Sequence, residues 1–152
     1  MEELKIICPT CKDRLILDDG CSNCEYTALE DQFLINNLLS SYNLSLDLIS
    51  QKRIQDAWEE LQRHLYQYPF IFNYLNLAFY LSLMNGAYDV SSIMLKKLKA
   101  VITDQDYQEY LQLLNTNVNI YNDIINGKFD FEEIDHIDLS LHHLYVLYLQ
   151  KK

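Results

Sequence analysis

Three glycines in 152 residues are too few for a Gly-rich phosphate loop. Positive charge is scarce as well. Lys and Arg number 12 against 22 Asp and Glu, a net charge of −10, which disfavours a phosphate backbone or an anionic membrane surface as partner. The deficit is spread evenly: residues 1–30 carry 3 basic and 7 acidic groups, residues 31–152 carry 9 and 15, so no basic tail hides in the average. No apolar run reaches the ~18 residues that suggest a membrane span. The start, MEELKIIC, has acidic residues where a secretory leader needs positive ones, and the expected location is the cytoplasm, where thiols stay reduced. Nucleotide-loop and zinc-protease signatures are absent: there is no G-x-x-x-x-G-K-[ST] and no H-E-x-x-H. Asp18-Asp19 and Glu132-Glu133 read as turn and helix-start charge rather than as a catalytic pair. The expectation is a protein that is not an enzyme.

What is present is 49% apolar residues, enough for a core, and four cysteines at the front of the chain. Cys8 and Cys11 form one C-x-x-C and Cys21 and Cys24 a second, with nine residues between the pairs. That spacing points to a tetrahedral four-cysteine zinc site, because each turn aims two sulfurs at one point and the connector can close a hairpin. Leu15 to Leu17 can form a strand, Asp18-Asp19-Gly20 a turn, and Leu4 to Ile7 and Glu25 to Ala28 the strands leading in and out. The expected role is structural Zn²⁺, since so short a segment cannot bury enough apolar surface alone. Rubredoxin-like iron and a dithiol redox centre stay open as alternatives. Iron is disfavoured because neither pair is followed by the Gly that such sulfur-binding turns usually carry: Lys12 and Glu25 stand there; the same departure counts against zinc too, since a Cβ in that turn strains the backbone. A histidine metal site is not expected from His64, His136, His142 and His143, as the adjacent pair would point ~100° apart on a helix.

Through its four cysteines, Pro9, Leu15 and Tyr26, the stretch of about thirty residues from Ile6 to Asp31 resembles the zinc ribbons of methyltransferase-activating proteins and some rRNA methyltransferases. The resemblance implies a ribbon fold only. Where that group often continues Asp-Gly-Ile-Pro, this chain has Glu30-Asp31-Gln32, and nothing downstream has a strand followed by a Gly-rich turn.

Beyond Asp31 the apolar pattern takes a period of 3.6, with helices expected near 31–50, 53–67, 71–85, 89–102, 104–126 and 131–150. Two breaks are nearly the same. NLAFYLSLMNGAYD (76–89) and NVNIYNDIINGKFD (117–130) align without gaps at an offset of 41. Gly86 and Gly127 suit the left-handed position that ends a helix, and Asp89 and Asp130 suit the start of the next, with Glu133 at capping-box spacing. Most Tyr and Phe, and Trp58, fall at helical spacing and are expected to pack between helices.

This unit resembles a tetratricopeptide-like repeat. With Gly86 at the turn, Ala78, Tyr88, Leu95 and Leu98 take apolar repeat positions and Ser91 a small one; 34 residues earlier, Ile54, Ala57 and Leu61 match, and Pro69 takes the closing proline. The third unit needs seven extra residues and has Glu132 at a small position. The resemblance implies antiparallel helix pairs over residues 31–152, following a zinc ribbon at 1–30, and a concave surface lined by the first helix of each unit. Asn73, Asn76, Tyr80, Asn117 and Tyr121 are then the candidates to hold an extended peptide, the Asn amides pairing with its backbone. None of these positions carries the Lys or Arg that clamps a carboxylate in chaperone-tail-binding members. The expected function is a protein-binding adaptor or assembly factor; the alternative is an accessory subunit that stabilises or activates an enzyme, such as a methyltransferase, through the ribbon.

Overall fold

The structure, a computed structural model, describes residues 5–16, 21, 23–27 and 31–128. The Asp18-Asp19-Gly20 turn, the helix expected at 131–150 with its Asp130 start, and His136, His142 and His143 lie outside these residues. The described chain is mainly helical with one small antiparallel sheet. Its order is β1 (Ile6–Ile7), β2 (Leu15–Ile16), α1 (Gln32–Ser50), α2 (Ile54–Gln62), α3 (Phe72–Met84), α4 (Tyr88–Lys99) and α5 (Asp104–Ile125).

Helix α1 buries Ile35, Leu38, Tyr42, Ser45 and Leu48, a stripe three and four residues apart that packs on α2. α2 presents Ile54, Ala57, Trp58 and Leu61 in return, which places Trp58 in the core. The sequence pattern predicts α2 to continue to residue 67, but it ends at Gln62. Residues 63–67 tighten into three-residue steps, with Leu65 N–H on Gln62 O at 3.3 Å and Gln67 N–H on His64 O at 3.1 Å. Pro69, which lacks an N–H and excludes Tyr68 from helical backbone, bars the chain from resuming the helix after these steps.

Helix α3 is apolar on nearly every side, burying Tyr74, Leu75, Ala78, Phe79, Leu81, Ser82 and Leu83. A helix of that character belongs in the middle, and α3 contacts α1, α2, α4 and β1. Small residues set the close crossings. Ser82 and Ser91, both fully buried, meet hydroxyl to hydroxyl at 2.5 Å between α3 and α4, and Ser45 donates to Ala57 O at 3.2 Å between α1 and α2. Asp89 sits in the first turn of α4 rather than at its cap, which is Ala87; its carboxylate favours the positive helix end without capping it. Thr103 does cap α5, accepting from Asp106 N–H at 3.1 Å.

Three helices end alike. In α3, Gly86 N–H bonds Leu83 O and Ala87 N–H bonds Ser82 O, and in α5, Gly127 and Lys128 repeat both bonds to Ile124 and Asp123. Gly86 and Gly127 have φ of 76° and 70°. α1 makes the same end with Lys52 at φ 62°, Lys52 N–H on Ile49 O and Arg53 N–H on Leu48 O, the six-to-one and five-to-two bonds of a Schellman motif. Lys52 lies 34 residues before Gly86.

The ribbon is docked on this helical body. Ile7 N–H bonds Phe70 O at 2.6 Å and Phe72 N–H bonds Lys5 O at 2.8 Å, so Ile6 pairs antiparallel with Ile71. Ile6, Ile7, Cys8 and Ile16 join the same apolar core as the helices.

Candidate metal centre

The first knuckle runs from β1 into Cys8-Pro9-Thr10-Cys11 and returns through β2, which pairs Ile7 with Leu15 and Ile6 with Ile16. Cys8 N–H bonds Arg14 O at 2.9 Å and Lys12 N–H bonds Cys8 O at 2.7 Å, closing the turn. Lys12 holds φ 65°, the left-handed backbone that favours Gly and costs a residue with a Cβ ~1–2 kcal/mol. Two backbone amides aim at sulfur: Cys11 N–H at Cys8 Sγ, 3.5 Å, and Asn23 N–H at Cys21 Sγ, 3.4 Å. Such bonds favour thiolate.

The four Sγ atoms lie within 4.8 Å of one another. Cys8 and Cys24 approach to 3.5 Å and Cys11 and Cys21 to 3.9 Å. Four sulfurs at ~2.3 Å from a tetrahedral ion stand ~3.8 Å apart along each edge, so the donor set fits one such ion. Charge leads to the same requirement. The Asn23 backbone amide lowers the Cys21 thiol from 9.0 to about 7. Cys24, although the Tyr26 backbone favours its thiolate, is pushed up to about 12 by desolvation and the other three sulfurs. Without a cation the cluster resists full ionisation; a bound metal would hold all four as thiolates. A tetrahedral ion held by all four would have no position left for a reacting water.

Tyr26 ties the second knuckle to the helices. Its hydroxyl donates to Asp31 Oδ2 at 2.9 Å and meets the Tyr68 hydroxyl. Burial, followed by these two partners, raises its pKa well above the ordinary tyrosine value.

The sequence-derived groove residues do not share one surface. Asn76, on α3, accepts from the Tyr110 hydroxyl of α5, and Tyr80 stacks tilted on Tyr110 at 5.8 Å. These rings wall a cleft of ≈ 430 Å³ lined by Tyr80, Asp106, Glu109, Tyr110 and Leu113. Asn73 accepts from Lys5 N–H at 2.9 Å and so anchors the ribbon. Asn117 is fully buried, with Nδ2 donating to Leu113 O of its own helix at 2.9 Å and Oδ1 unpartnered. Tyr121 packs edge-on against Tyr88 at 5.7 Å. Tyr110, Asp106 and Glu109 escaped the sequence reading; they sit on the two turns that lengthen α5 relative to α3, and only the seven-residue excess in the repeat offset marked that segment.

No helix among the described residues is long and apolar enough to cross a membrane. Comparison with protein-family models, with curated proteins and with solved structures finds no match to this chain.

Proposed function

We propose that the protein is a non-enzymatic adaptor or assembly factor, built as a tetratricopeptide-like array of helix pairs with a structural zinc ribbon at its front. The observation that carries this reading is the recurring helix end at Lys52, Gly86 and Gly127 with its common hydrogen-bond pattern, the first two separated by the 34-residue period of that repeat class. Cys8, Cys11, Cys21 and Cys24 are the ligands of a closed Zn²⁺ site whose binding energy serves folding. Zinc is preferred to iron because the left-handed knuckle position holds Lys12 rather than the Gly usual in iron-binding turns.

The α3–α5 cleft is the partner surface. Asn76 and Tyr80 stand on one wall and Tyr110 on the other, offering hydrogen-bonding groups and aromatic area to an extended peptide. Asp106 and Glu109 at the rim favour a segment carrying Lys or Arg. The test is affinity purification of the tagged full chain beside an Asp106→Lys/Glu109→Lys variant. Both side chains are exposed, so the fold should persist and the bound proteins should be lost. Retention of the same partners would refute the cleft. A single enzyme recovered stoichiometrically with both proteins, and released by chelation, would move the reading to an accessory subunit acting through the ribbon.

A further inference from the structure

A second cavity, of ≈ 320 Å³, opens where the first knuckle meets the end of α4. Lys12, Lys96 and Lys97 line it, over a floor that includes Pro69, Phe70 and Ala100. A quarter of the protein's 12 basic residues therefore converge on one pocket of a chain whose net charge is −10. Among the described residues no carboxylate pairs with these lysines: the ion pairs are Arg14 with Asp13, Arg53 with Asp56 and Arg63 with Glu60.

Lys96 and Lys97 alone would be ordinary, because cations favour the negative end of a helix. Lys12 is not on that helix. It stands on the first knuckle, held there by its N–H on Cys8 O at 2.7 Å, and reaches the cavity from a different part of the fold. Lysines from two separate elements, the first knuckle and the end of α4, thus line one pocket.

The geometry points to an acidic peptide segment of a partner protein as the occupant, its carboxylates on Lys12, Lys96 and Lys97 and one apolar side chain on Pro69 and Phe70. The apolar floor disfavours inorganic phosphate or nucleic acid, which would leave it exposed, and the lining contains no guanidinium to grip a phosphate by two bonds. The volume is at the low end of the ~300–1,000 Å³ of ligand pockets, enough for one large side chain. The inference rests on the adaptor reading but not on the α3–α5 cleft, so the protein would take segments of opposite charge at two separate surfaces.

The test is fluorescence anisotropy of the metal-loaded full chain with a labelled peptide of alternating Glu and Asp around a central Phe. Control peptides carry Gln and Asn for the acids, or Ser for the Phe; inorganic phosphate and anionic phosphatidylserine vesicles serve as competitors. The acidic Phe peptide should bind saturably and both controls should bind less. Lys12→Gly, Lys96→Gln and Lys97→Gln should each weaken it about two- to five-fold, the triple variant at least ten-fold, with metal content unchanged. Lys12→Gly relieves backbone strain, so unfolding does not account for lost binding. Wild-type affinity in the triple variant, equal binding of the neutral peptide, absence of saturable binding, or competition by phosphate or vesicles as effective as by unlabelled peptide would each overturn the proposal. If Lys12 serves only to offset thiolate charge, Lys12→Gly would lower metal affinity and leave peptide binding intact. The Asp106→Lys/Glu109→Lys variant should bind this peptide undiminished, which separates failure here from failure of the cleft.

Discussion

Lys52 occupies a helix end that elsewhere in this chain belongs to Gly, and replacing it tests the repeat and the backbone together. Left-handed backbone costs a residue with a Cβ ~1–2 kcal/mol, while introducing Gly adds unfolded-state freedom that costs ~0.4–1 kcal/mol. The difference predicts that Lys52→Gly stabilises the protein by ~0.5–1 kcal/mol. The converse holds at Gly127, where an added Cβ would meet nothing within 4 Å, so Gly127→Ala measures conformation without a clash and should destabilise by a similar ~0.5–1 kcal/mol. Urea unfolding of the metal-loaded protein, followed by far-ultraviolet circular dichroism, would read both as opposite shifts in midpoint at unchanged slope. Destabilisation by Lys52→Gly would refute the assignment of Lys52 to a strained helix end equivalent to Gly86. A changed slope would instead indicate that unfolding is not two-state.

Removing the metal with a chelator should strip protection from the amides of Ile7 and Phe72 in hydrogen exchange, since both bond between ribbon and helices, while most helical signal remains; persistent protection would show that the ribbon stays docked without metal. Tyr26→Phe should cost ~1–2 kcal/mol in urea unfolding, because it leaves the Tyr68 hydroxyl and Asp31 without a partner, and should leave metal stoichiometry unchanged. High pH should unfold the protein: burial raises Tyr74, Tyr88 and Tyr110 above the ordinary value near 10. A tyrosine whose folded pKa is raised stabilises the fold below its unfolded pKa and loses that contribution as pH climbs toward the folded one. Tyrosinate absorbance should therefore rise together with loss of helix above pH ~10, and a tyrosinate signal that develops with the helices intact would contradict the burial.

How much of this could be read from the sequence depended on whether the relevant signal was local. Helix positions follow from apolar spacing, and α1, α3 and α5 begin and end within a residue of expectation; the cysteine cluster follows from two short motifs. The likeness of the first helix end to the other two was hidden because Lys52 stands where they have Gly, leaving only a 34-residue step to mark it. Groove residues fared differently. Asn76 and Asn117 stand ten residues before equivalent glycines, yet one meets Tyr110 across the cleft and the other is buried against its own helix. Seven added residues, about two helical turns, preserve the face of α5 but shift which neighbours it meets, and alignment of short motifs does not register that displacement.

Docking of the ribbon answers a need of α3 that no side chain meets. Ile71, at its N-cap, has no oxygen in its side chain and supplies no capping bond, although the first amides of a helix require acceptors. Lys5 O accepts from Phe72 N–H at 2.8 Å, and Asn73 Oδ1 in turn accepts from Lys5 N–H at 2.9 Å, a reciprocal arrangement in which the incoming strand takes the place of a capping residue. That strand leads directly into Cys8, one of the four clustered cysteines. Because α3 is the central helix, with α1, α2 and α4 packed around it, a metal held by the cysteines would be linked to its start through two backbone bonds, Ile7 N–H to Phe70 O and Phe72 N–H to Lys5 O, and one to the Asn73 side chain. A ribbon tethered by a linker would leave the helices indifferent to a bound metal; one that caps the central helix predicts that chelation loosens the start of α3, beside the lysine-lined cavity at Ile7 and Phe70.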